Sequence, residues 1–535
     1  WNGSGGPWIR PEESMQKVVW SETPIEGPRR FEGILPQPET VADYYRDIAV
    51  QAVPATDYRI ENIAVKACYQ VGGVGPAHEA PLPAEQVVAR DAVVDLTPKM
   101  GSDGRLVWDV PAGKWVILRF GHTSTGVENA PAPKSGRGLE CDKLSREGIE
   151  ANFAGMMKKL VEDNPAGVGQ ALVATHIDSW ENGAQNWTAR MREEFRQRRG
   201  YDLTPFLPVM TGRVIDSIEI SERFLGDLRR TVSDLVVENY AGHMRELAQE
   251  NGLRLSIEAY GGPCDNLRYS GRADEPMSEF WIGGNALGTC REQASAAHAY
   301  GKPIHGAESF TADDHERWLQ HPGRLKPLGD TAFCEGVNRF VFHRYALQPW
   351  IDRRPGMTMG PWGIHYERTQ TFWEMLPAWH DYLARCQYML RQGLFVADIC
   401  LLQSEISPQG WGGRERQGYN FDACSPEVVL TRMSVKDGRL VLPDGMSYRL
   451  LVLPDGPMTP QLLERVAQLV RDGATVLGNP VWKSPSLSGY PECDAEVQRL
   501  SAELWGDGAS VTERRVGQGR VVRGMAPEDF LARNG

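Results

Sequence analysis

Two rhythms of apolar residues divide the chain. Between about 44 and 119 the apolar positions come in short, roughly alternating runs, such as Ile63-Ala64-Val65-Lys66-Ala67-Cys68-Tyr69 and Lys114-Trp115-Val116-Ile117-Leu118-Arg119, separated by Gly and Pro clusters. Period-two runs between turn formers predict half-buried strands, and this stretch reads as an inserted β-sandwich. After about Ser145 apolar strands alternate with long helical segments. Strands are predicted at 171–178, 253–257, 303–307, 339–342 and 396–402, and helices over 221–249, 292–300 and 370–391, with Gly252, Gly301 and Gly393 as stops. No glycine-rich phosphate fingerprint follows any strand, so the alternation predicts a (β/α)8-type, TIM-like barrel rather than an open sheet. The glycine-rich loop Trp1-Asn2-Gly3-Ser4-Gly5-Gly6-Pro7-Trp8 leads to a helix start at Pro11-Glu12-Glu13-Ser14-Met15 with no strand before it, so the barrel is expected to be incomplete at its N-terminus. Beyond Glu405 a compact βαβ unit at 449–478 predicts a doubly wound α/β domain with a structural role. The expected division is 1–43, start of the barrel; 44–135, β-sandwich; 136–405, main part of the barrel; 406–535, Rossmann-like domain.

Composition narrows the function. A chain of 535 residues with 41% hydrophobic and 24% charged residues is an ordinary multidomain globular protein. With 58 Lys and Arg against 70 Asp and Glu the formal charge is -12, which leaves a nucleic-acid partner without electrostatic support. No apolar run approaches the ~20 residues of a membrane span. Nine cysteines, widely scattered and without a C-x-x-C pair, exclude a disulfide framework and a zinc ribbon. The 16 Trp and 16 Tyr suit a sugar cleft, where C–H faces stack on rings, although most such rings serve the core.

In a parallel barrel the catalytic groups project from the C-terminal strand ends. Applied here, that rule gathers Asp178 and Glu181, Glu258, Glu308, His343 and Glu405 at one rim, with a further loop bringing Asp274 and Glu279. One such carboxylate is most simply a cap or a solvated group; the set, with Trp180, Trp187, Trp281 and Trp318, fits glycosidic bond cleavage by an acid and a base. It also fits a divalent cation held by oxygen ligands, or an acid cluster neutralised by Arg272, Arg291 or Lys302. His176, His298, His305, His343 and His365 lack H-E-x-x-H spacing, and there is no G-x-S-x-G elbow. Asp178 stands too close to Glu181 to be its opposite partner; it binds a sugar hydroxyl, raises the acid's pKa, or caps its own loop. Asn186, Trp187, Glu258, Trp281 and His305 complete the expected substrate-binding set.

The runs Gly5-Gly6-Pro7-Trp8-Ile9, Val19-Trp20-Ser21-Glu22, Tyr44-Tyr45-Arg46-Asp47-Ile48-Ala49-Val50, Gly136-Arg137-Gly138-Leu139-Glu140-Cys141-Asp142-Lys143, Asp178-Ser179-Trp180-Glu181 with Gln185-Asn186-Trp187-Thr188, Ile257-Glu258-Ala259-Tyr260-Gly261 and Pro355-Gly356-Met357-Thr358-Met359-Gly360 together resemble the glycoside hydrolase family 106 α-L-rhamnosidases. The similarity extends from Trp1 to about Tyr490. It implies an inverting, exo-acting hydrolase of terminal α-L-rhamnose on rhamnose-containing oligosaccharides or glycosides, often with calcium (Ca2+) in the site. It further implies Glu181 as general acid, Glu308 as general base with Glu258 and Glu279 as alternatives, and Glu279 as a calcium ligand. Members are longer than this chain, so the resemblance implies truncation at both ends, and it points to a periplasmic or extracellular protein. The competing readings are a retaining, β-galactosidase-like barrel glycosidase and a carbohydrate-binding protein without turnover.

Overall fold

The computed structural model describes residues 5–41, 44–59, 82–284, 287–350, 352–353, 356–357, 360–406, 416–506 and 512–534. The expected strand at 63–69 lies outside them. After a single 3-10 turn at Pro11–Glu13, where a helix was expected, comes β1 (Gln16–Ile34). It joins β2 (Arg46–Pro54), β3 (Val94–Asp95) and β4 (Arg105–Ser124) in one antiparallel sheet, order β1-β4-β2-β3. Residues 1–43, expected to open the barrel, therefore contribute an antiparallel strand, paired with β4 along nearly its whole length. Val50, Ala52, Leu106, Trp108 and Ile117 bury its inner face.

The parallel sheet follows. It contains β5 (Ala174–Ile177), β6 (Arg254–Glu258), β7 (Glu275–Trp281), β8 (Gly306–Thr311) and β9 (Arg339–Phe342), adjacent in chain order and all parallel. These five curl as a half-barrel, with helices at Ile218–Leu235, His243–Glu250, Leu287–Ala299 and Pro322–Cys334 as crossovers. Ser217 starts the first of these helices by accepting Ile220 N–H on its hydroxyl. The single helix expected over 221–249 is interrupted by a π-helical segment at Val236–Gly242, whose Tyr240 packs between Trp180 and Tyr269.

The predicted barrel strand at 396–402 lies in a different sheet. β10 (Ile399–Leu402) pairs in parallel with β11 (Phe421–Cys424) on one side and β12 (Leu450–Val452) on the other. With β13 (Thr475–Leu477), β14 (Glu513–Val516) and β15 (Gly519–Val522) they form a six-stranded sheet, order β11-β10-β12-β13-β15-β14, in which β14 alone is antiparallel to its neighbour. A buried apolar strand reads the same whichever parallel sheet receives it, so periodicity could not assign this one. Glu405 accordingly lies away from the barrel mouth: it pairs with Arg230 at 3.2 Å and accepts the N–H and hydroxyl of Thr459. Among the described residues no helix is long and apolar enough to cross a membrane.

Candidate active site

Strand register assembles the acid cluster. Ile177 is level with Ile257, which puts Asp178 and Glu258 on one rung of the sheet; Glu258 is level with Met277, and two residues further Glu279 is level with Glu308. Side chains on one rung of parallel strands share a face and the period is two, so all four carboxylates leave the same face near the C-terminal edge. Glu181 follows on the exposed turn after β5, its Oε1 accepting the Ser179 hydroxyl at 3.1 Å. That turn is anchored from below: Trp180 is buried and donates its indole N–H to Gly183 O, and the Lys143 ammonium lies 5.6 Å from its ring. Asp142 binds the Thr188 hydroxyl and Gln185 amide, and Lys143 N–H reaches Gln185 Oε1. The motif Glu140-Cys141-Asp142-Lys143 thus supports the acid-bearing loop.

A bulge shapes the end of β8. Ser309 is level with Phe280 but Thr311 with Trp281, so Phe310 is an extra residue, held at φ 64°. A non-glycine residue in the left-handed region costs about 1–2 kcal/mol, and the site is held by burial of the Phe310 ring against Phe280, Phe340 and Phe342. The displaced Thr311 turns its hydroxyl onto Glu308 Oε1.

The carboxylates are electrostatically frustrated. Burial drives Glu258 well above its ordinary value, reinforced by Glu308 and Asp178 against one hydrogen bond from Tyr260. Glu308 is pushed up to about 7, mainly by burial; the Thr311 bond opposes this, while Glu279, Asp178 and Glu181 add to it. Glu279 is raised by burial against hydrogen bonds from Tyr260 and Trp281. The Tyr260 hydroxyl spans two of these acids, at 2.5 Å from Glu258 Oε2 and 2.9 Å from Glu279 Oε2. Among the described residues no Lys or Arg pairs with Asp178, Glu258, Glu279 or Glu308; their basic neighbours are His176, 3.8 Å from Glu258, and His343, 3.4 Å from Glu308. Burial lowers the pKa of both histidines, His343 to about 4.

The proposed neutralising cations are engaged elsewhere. Arg272 pairs with Glu427 and Arg291 with Glu335, both at 2.7 Å. Asp274 precedes the first residue of β7, away from the mouth, and pairs with Arg245. Lys302 feels Asp274 rather than the mouth acids.

Several expected substrate contacts are structural. Asn186 Oδ1 accepts Val18 N–H at 2.8 Å, and Trp187 is only 2% exposed with its N–H on Gln16 O, so both tie the loop to β1. His305 precedes β8, at the end opposite the mouth, buried between Gly336 O and the Ser278 hydroxyl. Trp281 does stand at the rim: half-buried, it donates to Glu279 and meets the exposed Trp362 edge to face at 5.8 Å. Tyr260, Thr311 and Trp362 were not singled out from sequence. Tyr260 sits in a motif whose glutamate drew the attention, and Thr311 reaches the site only through the bulge.

A cation fits one part of the cluster. Ligand atoms of His176, Asp178 and Glu258 all lie within 4.8 Å of one another. Two carboxylates suit calcium, while an imidazole nitrogen widens the choice toward manganese or zinc. Glu279 is outside this trio and touches it through the Tyr260 hydroxyl.

The family model described as alpha-L-rhamnosidase matches residues 1–70 and 52–535. The chain belongs to glycoside hydrolase family 106. A rhamnosidase structure from Novosphingobium sp. PP1Y is similar over 99% of the chain and 65% of its own, with TM-score 0.89 and 26% identity. A Formosa agariphila protein named "Putative beta-glucuronidase" is 41% identical over 545 residues, which is all of this chain and 45% of that protein. The chain thus spans a little under half of that curated relative and about two thirds of the rhamnosidase.

Proposed function

We propose that the protein removes terminal α-L-rhamnose from a glycan by single displacement with inversion. Glu181, exposed on its turn, protonates the leaving oxygen; Glu308, deeper on β8, takes the proton of the attacking water. The charge of Glu181 contributes to the raised pKa of Glu308, as expected for two carboxylates facing one cleft. The observation that carries the reading is the set of buried acids without cationic partners on successive strand ends, in a family described by this activity. Thr311 orients Glu308, beside which the neutral His343 stands, and Tyr260 bridges Glu258 and Glu279. Asp178 and Glu258, with His176, are the residues suited to a calcium-type ion, and Glu279 supports them through Tyr260. Such an ion, when bound, supplies positive charge to a crowded acid cluster and coordination for a pair of sugar hydroxyls. Export to the periplasm or cell exterior belongs to the same proposal.

The name of the Formosa agariphila relative supports a second reading, a β-glucuronide hydrolase. An aryl-glycoside panel decides between them. Turnover of the α-L-rhamnoside above the β-D-glucuronide and β-D-galactoside is expected; the reverse order overturns the rhamnosidase reading.

A further inference from the structure

Just beyond β9 the chain buries a charge that none of the described residues answers. Arg344 is 6% exposed, and its Nε, Nη1 and Nη2 are all buried without a hydrogen-bond partner among the described residues. Its backbone is fixed, with N–H on Ile364 O at 3.2 Å and carbonyl accepting Tyr366 N–H at 3.3 Å. Between those partners lies His365, 1% exposed, with neither ring nitrogen partnered. The ring of the half-exposed Trp318 stacks on that imidazole at 3.6 Å and 9°. Arg317, whose charge acts on both Arg344 and His365, reaches Gly360 O and Asp314 but keeps a buried, unpartnered Nε. The cluster adjoins the catalytic end of the barrel, because His343, the residue before Arg344, stands 3.4 Å from Glu308.

A guanidinium offers five donors and cannot shed its proton, so burial without an acceptor is unfavourable unless a ligand supplies one. The planar fork matches two oxygens of a carboxylate or sulfate far better than a neutral hydroxyl. Burial holds His365 down to about 4, with Arg344 and Arg317 contributing, so near neutrality it adds an N–H donor rather than a second charge. We infer that Arg344, with Arg317 and His365, forms an oxyanion site for a carboxylate or sulfate ester on the glycan bound at the barrel mouth, with Trp318 as the stacking surface beside it. The inference rests on the reading that this mouth takes a glycan and adds that the glycan is anionic.

Calorimetric titration of the full chain with D-glucuronate, inorganic sulfate and D-glucose tests it. At least one anion should bind ten-fold or more tightly than glucose, with affinity falling as salt rises, and the anion that binds names carboxylate or sulfate as the source. Arg344→Met should abolish that preference and, by removing an unanswered buried charge, raise the melting temperature. Arg344→Lys should restore only part of the affinity, since an ammonium lacks the fork. Equal binding of all three probes by the parent protein, or unchanged anion binding by a well-folded Arg344→Met, overturns the proposal. Aryl α-L-rhamnoside hydrolysis is followed separately: its absence with anion binding intact overturns the rhamnosidase reading alone, and its presence without anion binding overturns the oxyanion site alone.

Discussion

Glu427 and Glu308 are both largely buried glutamates at the C-terminal edge of a parallel sheet, one in each of the molecule's two. Burial pushes both up. At Glu427, just after β11, the hydrogen bond and charge of Arg272 and the charge of Arg268 outweigh burial and bring the carboxyl down to about 2. At Glu308 a single threonine hydroxyl opposes burial and three neighbouring acids, and the group ends near 7. Other acids around the C-terminal sheet are answered in the same way as Glu427: Glu405 by Arg230 and Thr459, and Asp422 by Tyr448 and His298. At the half-barrel mouth Asp178, Glu258, Glu279 and Glu308 stand together with no Lys or Arg paired to them among the described residues, whereas Glu275 and Asp274 at the other end of the same sheet are answered by Arg339 and Arg245. The two strand-end sets thus differ in whether their acids are neutralised from within, and in the function proposed above a substrate or ion completes the charge at the mouth.

Catalysis should break the comparison most visibly. Glu308→Gln is expected to lower kcat/KM about 10^3-fold on every substrate, in the range of general-base losses, whereas Glu427→Gln, lacking any place in the site, should act through stability. Glu181→Gln should cost about 10^2-fold or more on poor leaving groups and much less on an activated aryl group, because only a basic leaving oxygen needs the proton. Steady-state kinetics across leaving groups checks both, and equal loss on good and poor leaving groups would remove Glu181 from the acid role.

Stability should move in opposite directions at the two glutamates. The depressed Glu427 stabilises the fold above its unfolded pKa, and that contribution fades as pH falls toward 2. Glu427→Gln leaves arginines unanswered and should cost about 2–4 kcal/mol at pH 7. The raised Glu308 does the reverse: stability is fullest below its unfolded value near 4.5 and declines as pH rises through about 7. Glu308→Gln should therefore melt higher than the parent at pH 8, by up to about 3 kcal/mol, with the gain vanishing toward pH 4. Chemical denaturation of both variants at pH 4, 6 and 8 measures the two slopes.

Much of this division was legible in the sequence. The strand-end rule identified Asp178, Glu181, Glu258 and Glu308 because period-two strands fix where a side chain leaves the sheet. It failed for Glu405, whose strand joins the other sheet. Asp274, expected from a loop at the mouth, and His305, expected among the substrate contacts, lie at the opposite strand ends, a difference of a few residues that apolar runs do not resolve. Asn186 and Trp187 follow Glu181 in a motif, and sequence cannot say which motif residues face a ligand and which hold the loop. The Phe310 bulge and the Tyr260 bridge depend on register between strands far apart in the chain.

A smaller effect concerns the cation. Exhaustive chelation should lower activity about ten-fold and calcium should restore it, with His176→Gln shifting the metal preference toward all-oxygen chemistry. Activity untouched by chelation, with no metal found by elemental analysis, would leave the mouth acids to the substrate alone. The acid limb of kcat/KM should fall near pH 7, because the base works only when ionised.

In the proposed function the mouth acids of the half-barrel perform inverting cleavage of an α-L-rhamnoside. Proton NMR of the first sugar released from an aryl α-L-rhamnoside tests it most directly. Inversion releases β-L-rhamnose at early times, mutarotating afterwards; α-L-rhamnose as the first product, or no rhamnose released by the folded protein, would rule the mechanism out.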